Sequence, residues 1–542
     1  MSEFCGTNKG LLSRVLMAAA VTFSAGAVQA VTPFENDVSV AIDRGITYLA
    51  TTGAFSNPSS AGDAAGLPML ALLEKRASGI ATDPPQGYTG ANATDQGRLR
   101  TAAANILDRV NETGFYSYRD GAFMFALSEY ALTGGPDKSA LGAGVAGNVD
   151  YQTIKEAMNA LVDRALAGQD KASYKGYWCY SGPGCPDSST TQFVVAGLAA
   201  AKTFYSSNKS GDGGAFADAA RVTAIDAALV LARQAYETNA AQGSDNGACA
   251  VLSPTERGHG YNAGYNPSLQ QTASGMYNQL FGGSNVNTPM VQHYIEWLRN
   301  HYRWEDLDNM GNSWPTSSWS YYLWSSFKGM ELIRQSGISP AAGNLGANDL
   351  GKLSAASAPS CAVRQENKDP ALVSRPAVFG AGAAGFYVGE PKGQYFDYAH
   401  QILSVQCANG AFACGSPGYW DFNAHQSYLL LVLQRSTGGG CADSDGDGVC
   451  DSEDNCPAVA NPGQQNTYGD ARGDACEPRP VASCDLDSDG DVDSIDIAGI
   501  TALRNKPASA NPKADADGNG VININDARAC VLKCTRSKCA TQ

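Results

Sequence analysis

Six stretches of this chain are apolar on nearly every face and rich in small residues: 65–76, 120–132, 190–205, 270–281, 317–333 and 423–435. A helix that is apolar all round has no face to offer water and must be enclosed by other elements. Five amphipathic stretches alternate with them, at 101–110, 153–166, 220–237, 289–302 and 395–406. A further helix opens near Asp37, with Val38, Ile42, Ile46 and Leu49 at helical spacing and Asp37 as its expected N-cap. Each apolar stretch after the first follows a turn of Gly or Asn and aromatic residues. These turns are Gly114-Phe115-Tyr116, Gly176-Tyr177-Trp178, Gly258-His259-Gly260-Tyr261, Asn312-Ser313-Trp314 and Gly418-Tyr419-Trp420. Outer helix, turn and inner helix thus recur about six times, and closing such hairpins into a ring buries every inner helix. The expected fold class is mainly α.

These turns, with helices such as Gly176-Tyr177-Trp178 followed by Asp187-Ser188-Ser189-Thr190-Thr191-Gln192-Phe193-Val194-Val195-Ala196-Gly197-Leu198, resemble the six-hairpin α/α toroid of the terpenoid cyclase and protein prenyltransferase superfamily. That superfamily includes complement-type thioester domains. The resemblance implies an (α/α)6 toroid over residues 31–437. The sequence departs from the chemistry of that group. No Asp-x-Asp-Asp acid occurs before position 440, the nearest string being Asp187-Ser188-Ser189-Thr190. The thioester motif Gly-Cys-Gly-Glu-Gln is absent, the nearest strings being Cys407-Ala408-Asn409-Gly410 and Cys414-Gly415-Ser416-Pro417. No clear Asp, Cys and His set for zinc stands out, and there is no P-loop, GxSxG elbow or HExxH.

In such a ring the inner-helix N-termini gather at one mouth. The polar residues expected there are Arg119, Asp120, Asp187, Glu256, Arg257, His259, Tyr261, Asp421 and His425. Asp421 and His425 are four apart on one helix face, a spacing that suits a general base with its orienter and equally a cap with a buried hydrogen bond. His259 lies between two glycines, so its backbone can approach a ligand. Asp421, His425 and His259 form the candidate catalytic set. The aromatics Trp314, Trp319, Tyr322 and Trp324 either line a sugar or isoprenoid cleft or fill the core.

After Gly438-Gly439-Gly440, a flexible link, the composition changes. The last 102 residues carry 18 acidic and 9 basic side chains, a net −9 out of −15 for the whole chain. They also hold eight of the 15 cysteines. In 443–457, Asp443, Asp445, Asp447, Asp451 and Asp454 occupy positions 1, 3, 5, 9 and 12 of a loop with Gly448 at position 6. Ca²⁺ wants six to eight oxygen ligands, and alternate carboxylates round a glycine turn supply them. With Asn455-Cys456-Pro457 this closely resembles a thrombospondin type 3 repeat, assigned to 438–480. That resemblance implies a Cys456–Cys476 disulfide. Asn466, Tyr468 and Asp470 stand where the family usually has three Asp.

Two further loops share one pattern. Asp485, Asp487, Asp489, Asp493 and Asp496 hold positions 1, 3, 5, 9 and 12 of the first, and Asp515, Asp517, Asn519, Asn523 and Asp526 those of the second. Position 7, Asp491 or Val521, would ligate through its carbonyl. Each loop runs into a helix, with Ile497, Ile500 and Leu503 after the first and Ala527, Val531 and Leu532 after the second. Two such loops lacking entering helices resemble a type I dockerin over 481–542, which implies a cohesin-like partner or surface assembly. Positions 10 and 11, often Ser-Thr in that family, are here Ser494-Ile495 and Ile524-Asn525. Cys484, Cys530, Cys534 and Cys539 are expected to form two disulfides rather than a zinc site. The implied cofactor is Ca²⁺, at about three sites.

The N-terminus supplies the compartment. Lys9 and Arg14 precede the apolar run Val15–Val28, and Val28-Gln29-Ala30 ends in small residues, the form of a secretory signal peptide over 1–30. No later segment is apolar over the length of a membrane span. An acidic chain lacks the clustered Lys and Arg that nucleic acid requires. The expected protein is secreted and calcium-binding, for a surface or an assembly. The alternative is an extracellular polysaccharide lyase or hydrolase with a glycan ligand at the toroid mouth, less so an isoprenoid-acting enzyme.

Overall fold

The computed structural model describes residues 31–56, 66–76, 83–110, 114–137, 153–243, 249–305, 319–354, 364–376, 387–414, 422–437, 445, 449, 454–461, 464–466, 472–476, 484–487, 491–535 and 537–541. Residues 1–30, expected to form a signal peptide, and Gly438-Gly439-Gly440 lie outside them, as do Trp314, Asp421, Asp443, Asp447, Asp451 and Asp489. The protein is mainly helical, with fourteen α-helices among the described residues.

Helices α1 (Pro33–Thr51), α3 (Ala93–Arg109), α5 (Ile154–Gly168), α7 (Ala219–Asn239), α9 (Pro289–Asn300) and α11 (Gln394–Val405) alternate with α2 (Leu67–Leu73), α4 (Ser117–Leu132), α6 (Ser188–Ser206), α8 (Leu269–Phe281), α10 (Trp319–Gln335) and α12 (Phe422–Leu433). The even-numbered helices are enclosed: α8 is buried at every residue and α12 at every residue but Phe422. The odd-numbered helices show one face to water; α7 buries only Ile225, Ala228, Leu229, Ala232, Ala235 and Tyr236. Contacts run in succession through α2, α4, α6, α8, α10 and α12, and α12 returns to α2. The odd-numbered helices lie outside this succession: α3 on α2 and α4, α5 on α4 and α6, α7 on α6 and α8, α11 on α10 and α12, and α1 on α12 and α2. Small residues permit the tightest pairing, α4 on α6. A Cβ on Gly197 would come within 2.8 Å of the Gly121 carbonyl oxygen.

Helix starts depart from the sequence expectation where a stronger cap lies upstream. Asp37 does not cap α1. Thr32 does, accepting from Glu35 N in a capping box with Pro33 in the first turn. Asp37 is instead fully buried, its carboxylate accepting from Arg375 Nε at 2.6 Å and the Tyr387 hydroxyl at 2.8 Å. The stretch 101–110 belongs to a longer α3 because Asn92 caps it upstream, accepting from Asp95 N. The stretch 65–76 shrinks to α2, entered from Gly66 at φ +99°.

Residues facing one another inside the succession are aromatic. Phe193 on α6 meets Tyr118 on α4 at 4.9 Å between ring centroids, Trp324 on α10 at 5.7 Å and Tyr428 on α12 at 6.3 Å. Trp324 and Tyr428 stand 5.3 Å apart. Since α6 is neither neighbour of α10 nor of α12 in the succession, these rings meet across its middle. Trp319, Tyr322 and Trp324 are accordingly core residues, at 6%, 0% and 0% exposure.

A short hairpin, β1 (Ser210–Gly211) with β2 (Gly214–Ala215), precedes α7. The C-terminal segment carries α13 (Ser494–Ala502) and α14 (Ile524–Val531), and β3 (Lys506–Pro507) pairs antiparallel with β4 (Val521–Ile522). Its own small core holds Cys484, Val492, Ile500, Ala514, Ile522, Ala527 and Cys530. Val531 and Leu532 lie outside that core, Leu532 at 88% exposure. The described disulfides are Cys179–Cys185, Cys407–Cys414, Cys456–Cys476, Cys484–Cys530 and Cys534–Cys539. Among the described residues no helix is long and apolar enough to cross a membrane.

Candidate functional site

Three carboxylate groups, each with ligand atoms within 4.8 Å of one another, can hold a metal ion: Asp485, Asp487 and Asp496; Asp491, Asp493 and Asp496; and Asp515, Asp517 and Asp526. The first two share Asp496, so they belong to one loop. The two loops are built alike. Asp493 and Asn523 cap α13 and α14, each side chain accepting from the amide two residues on, Ile495 N at 2.6 Å and Asn525 N at 2.7 Å. The Asp at position 12 closes each loop with both oxygens. Asp496 accepts from Asp493 N at 2.9 Å and Leu486 N at 2.6 Å; Asp526 accepts from Asn523 N at 2.7 Å and Asp517 N at 3.1 Å. The pattern follows from reach: a short Asp three residues beyond the cap completes a capping box and still spans to the loop start.

In the second loop Asp515 accepts from Asn519 N at 3.2 Å and Gly520 N at 3.0 Å. Gly520 sits at φ +82°, a conformation that strains any residue with a side chain. Asn519 Oδ1 accepts from Val521 N, and the Val521 carbonyl accepts from Asn523 Nδ2 at 2.9 Å, so a cation taking that carbonyl shares it with the amide. Burial first, and then the neighbouring Asp526 and Asp515 charges, raise the Asp517 carboxyl above its usual range. All donors in these groups are hard carboxylate oxygens, which fits Ca²⁺ or Mg²⁺ and not a thiolate-seeking metal.

In 443–457, Asp445 and Asp454 are the described members of the expected ligand set. Asp454 Oδ1 accepts from Cys456 N at 2.7 Å and Gln464 Nε2 at 2.7 Å. The Cys456–Cys476 disulfide joins the two halves of this stretch.

The polar residues expected at a toroid mouth are mostly engaged in structural bonds. His259 is fully buried, with Nδ1 against the Gly260 carbonyl at 2.7 Å and Nε2 against the Tyr177 hydroxyl at 2.8 Å. Burial lowers its pKa to about 4. With both nitrogens committed and no exposure, this imidazole is a wall element rather than a poised base, contrary to its place in the candidate catalytic set. Asp187 caps α6, one oxygen accepting from Ser189 N, Ser189 Oγ and Thr190 N. Asp120 is buried between Arg164 and Arg119, and Glu256 accepts from Leu252 N and Asn300 Nδ2. Arg257 donates to the Pro254 and Glu256 carbonyls. The Tyr261 hydroxyl lies 2.5 Å from that of Tyr180. His425 differs: 6% exposed on α12, its ring nitrogens make no hydrogen bond among the described residues, and Trp319 lies 6.3 Å away. Burial lowers its pKa to about 4, and the Phe412 backbone beside the ring partly restores it. Its expected partner Asp421 is not among the described residues.

One turn beyond Trp324 on α10 stands an ionisable residue absent from the sequence expectation. Lys328 on α10 is fully buried, its Nζ without a hydrogen bond and 5.2–5.7 Å from the ring centroids of Trp324, Phe125, Phe281 and Tyr277. Burial lowers its pKa to about 7, and Glu74 partly restores it. The signal was present in 317–333, where Lys328 interrupts a stretch otherwise read as apolar. No family model, curated protein or solved structure matches the chain.

Proposed function

We propose that the chain is an exported calcium-binding protein, an (α/α)6 toroid presented on a calcium-stiffened C-terminal stalk that ends in a dockerin-like docking module. The observation that carries this reading is the duplicated loop: Asp496 and Asp526 make the same two kinds of backbone bond in loops 30 residues apart. The closed succession of even-numbered helices inside the odd-numbered ones supports the toroid. The five described disulfides support an oxidising, extracellular setting. Asp485, Asp487, Asp496, Asp515, Asp517 and Asp526 would hold the cation in the paired loops, and its charge would offset their mutual repulsion. The partner is a cohesin-like protein or a surface assembly.

Calorimetric titration of the chelator-stripped full-length protein with Ca²⁺ tests this. About three sites are expected, and Asp515→Ala with Asp526→Ala should remove one. Absence of binding at millimolar Ca²⁺ or below would end the reading.

A second reading, an extracellular polysaccharide lyase or hydrolase with its site at the toroid mouth, draws support from His425, whose buried imidazole has no described hydrogen bond. A glycan panel assayed with wild type and His425→Ala separates the two. An activity that this change abolishes without unfolding the protein favours the enzyme.

A further inference from the structure

The C-terminal segment repeats its long-range bonds as well as its loops. Position 8 is Val492 in the first loop and Ile522 in the second, both buried, each next to the position 7 residue whose carbonyl is an expected ligand. The Ile522 carbonyl accepts from Asn505 N at 2.7 Å, and the Val492 carbonyl accepts from Thr535 N at 3.0 Å. Asn505 and Thr535 are 30 residues apart, as are Val492 and Ile522, so the same bond is made twice. Asn505 lies just beyond the end of α13, and Thr535 just beyond the end of α14. At position 8, therefore, each loop is held by the chain that leaves the other loop's helix.

Both crossings are reinforced. Beside Ile522, β3 pairs with β4, and Ala508 N donates to Gly520 O at 2.9 Å. Beside Val492, the Thr535 hydroxyl accepts from Val492 N at 3.2 Å. Lys513 Nζ, two residues before the second loop, donates to the carbonyl of Asp485, which opens the first, at 3.1 Å. Cys484, immediately before the first loop, is bonded to Cys530 on α14. Their counterparts in the 30-residue repeat, Ala514 and Ile500, lie in the same buried core. A cation that fixes either loop thus also fixes the segment that the other half relies on. The ordering cost met by the first cation is not met again in full by the second, which is the condition for positive cooperativity.

We infer that the two loops take up Ca²⁺ cooperatively through these crossed bonds, and that Thr535 is a positioning residue for the first loop although it follows the second. This rests on the calcium reading above.

The test is Ca²⁺ titration calorimetry of the chelator-stripped full-length protein, with a variant lacking both loop sites as the baseline for 443–457. Asp515→Ala should remove the second-loop site and weaken the first-loop site by about fivefold or more relative to wild type; Asp485→Ala should do the reverse, because coupling is reciprocal. Thr535→Pro removes the amide donor and the hydroxyl together. Added to Asp515→Ala it should weaken the remaining first-loop site further, by about fivefold or more; added to Asp485→Ala it should leave the second-loop site unchanged. A general loss of stability would weaken both. Thr535→Ser, which keeps both groups, should bind as wild type does. If neither loop variant loses a site, the calcium reading falls and this inference with it. If each loses its own site while the other keeps its wild-type affinity, or if Thr535→Pro weakens neither loop or both alike, the coupling is overturned and the calcium reading stands.

Discussion

In the helical body, α8 keeps all thirteen of its residues from water, whereas α13 buries two of nine, Asp496 and Ile500, and α14 three of eight. The body is held by a continuous apolar and aromatic core that reaches from α1 to α12. The C-terminal segment has a seven-residue buried core that includes the Cys484–Cys530 pair, and its helices start from capping boxes closed by aspartates. A small module whose core supplies little must be held by covalent links, caps and counter-ions. The acidic charge of the chain collects where burial cannot hold the fold, and carboxylates crowd there because the same side chains shape the loops.

The sharpest way to break the body is at the middle of its inner helices. Trp324→Ala, which removes a ring packed on Phe193 and Tyr428, should cost about 3–5 kcal/mol in chemical denaturation of the body, while Ca²⁺ titration stays as in wild type. The corresponding break in the C-terminal segment is covalent. Replacing Cys484 and Cys530 by Ser should cost that segment about 2–5 kcal/mol and leave the body's transition in place.

Acid separates the regions next. His259 and His425 have folded pKa values of about 4, lowered from 6.5 by burial. The unfolded chain therefore binds more protons between these values. The body's stability should be full above pH 6.5 and fall towards pH 4, by on the order of 3 kcal/mol per histidine, and His259→Gln should flatten that slope by its share. The smallest effect is local: Asp187→Ala removes the acceptor for two amides at the start of α6 and should cost about 1 kcal/mol.

Much of the helical order was legible because burial leaves a periodic trace. All six stretches apolar on nearly every face became enclosed helices, and the predicted turn Gly114-Phe115-Tyr116 runs directly into α4 at Ser117, whereas the turns at Gly176 and Gly258 end well before α6 starts at Ser188 and α8 at Leu269. What pairs across the chain was not legible. Nothing local in Asp37 announces Arg375, 338 residues away, so the aspartate read as a cap. His259 looked accessible between two glycines, yet Tyr177, 82 residues away, closes over it. The acidic loops were legible because their ligands are spaced along one segment. Lys328 was overlooked because its significance comes from the apolar rings that distant segments pack round it, which spacing does not show.

Differential scanning calorimetry of the full-length protein, in Ca²⁺ and in chelator, tests most directly whether the two regions are held by different means. Each occupied site should contribute about 2.7 kcal/mol to the C-terminal segment at a hundredfold excess over its dissociation constant. Two transitions are expected, with Ca²⁺ raising the one that Cys484→Ser/Cys530→Ser weakens and leaving the one that Trp324→Ala weakens. A single transition that moves as a whole, or two that ignore Ca²⁺, would contradict the division of the molecule into an apolar body and a calcium-held C-terminal segment.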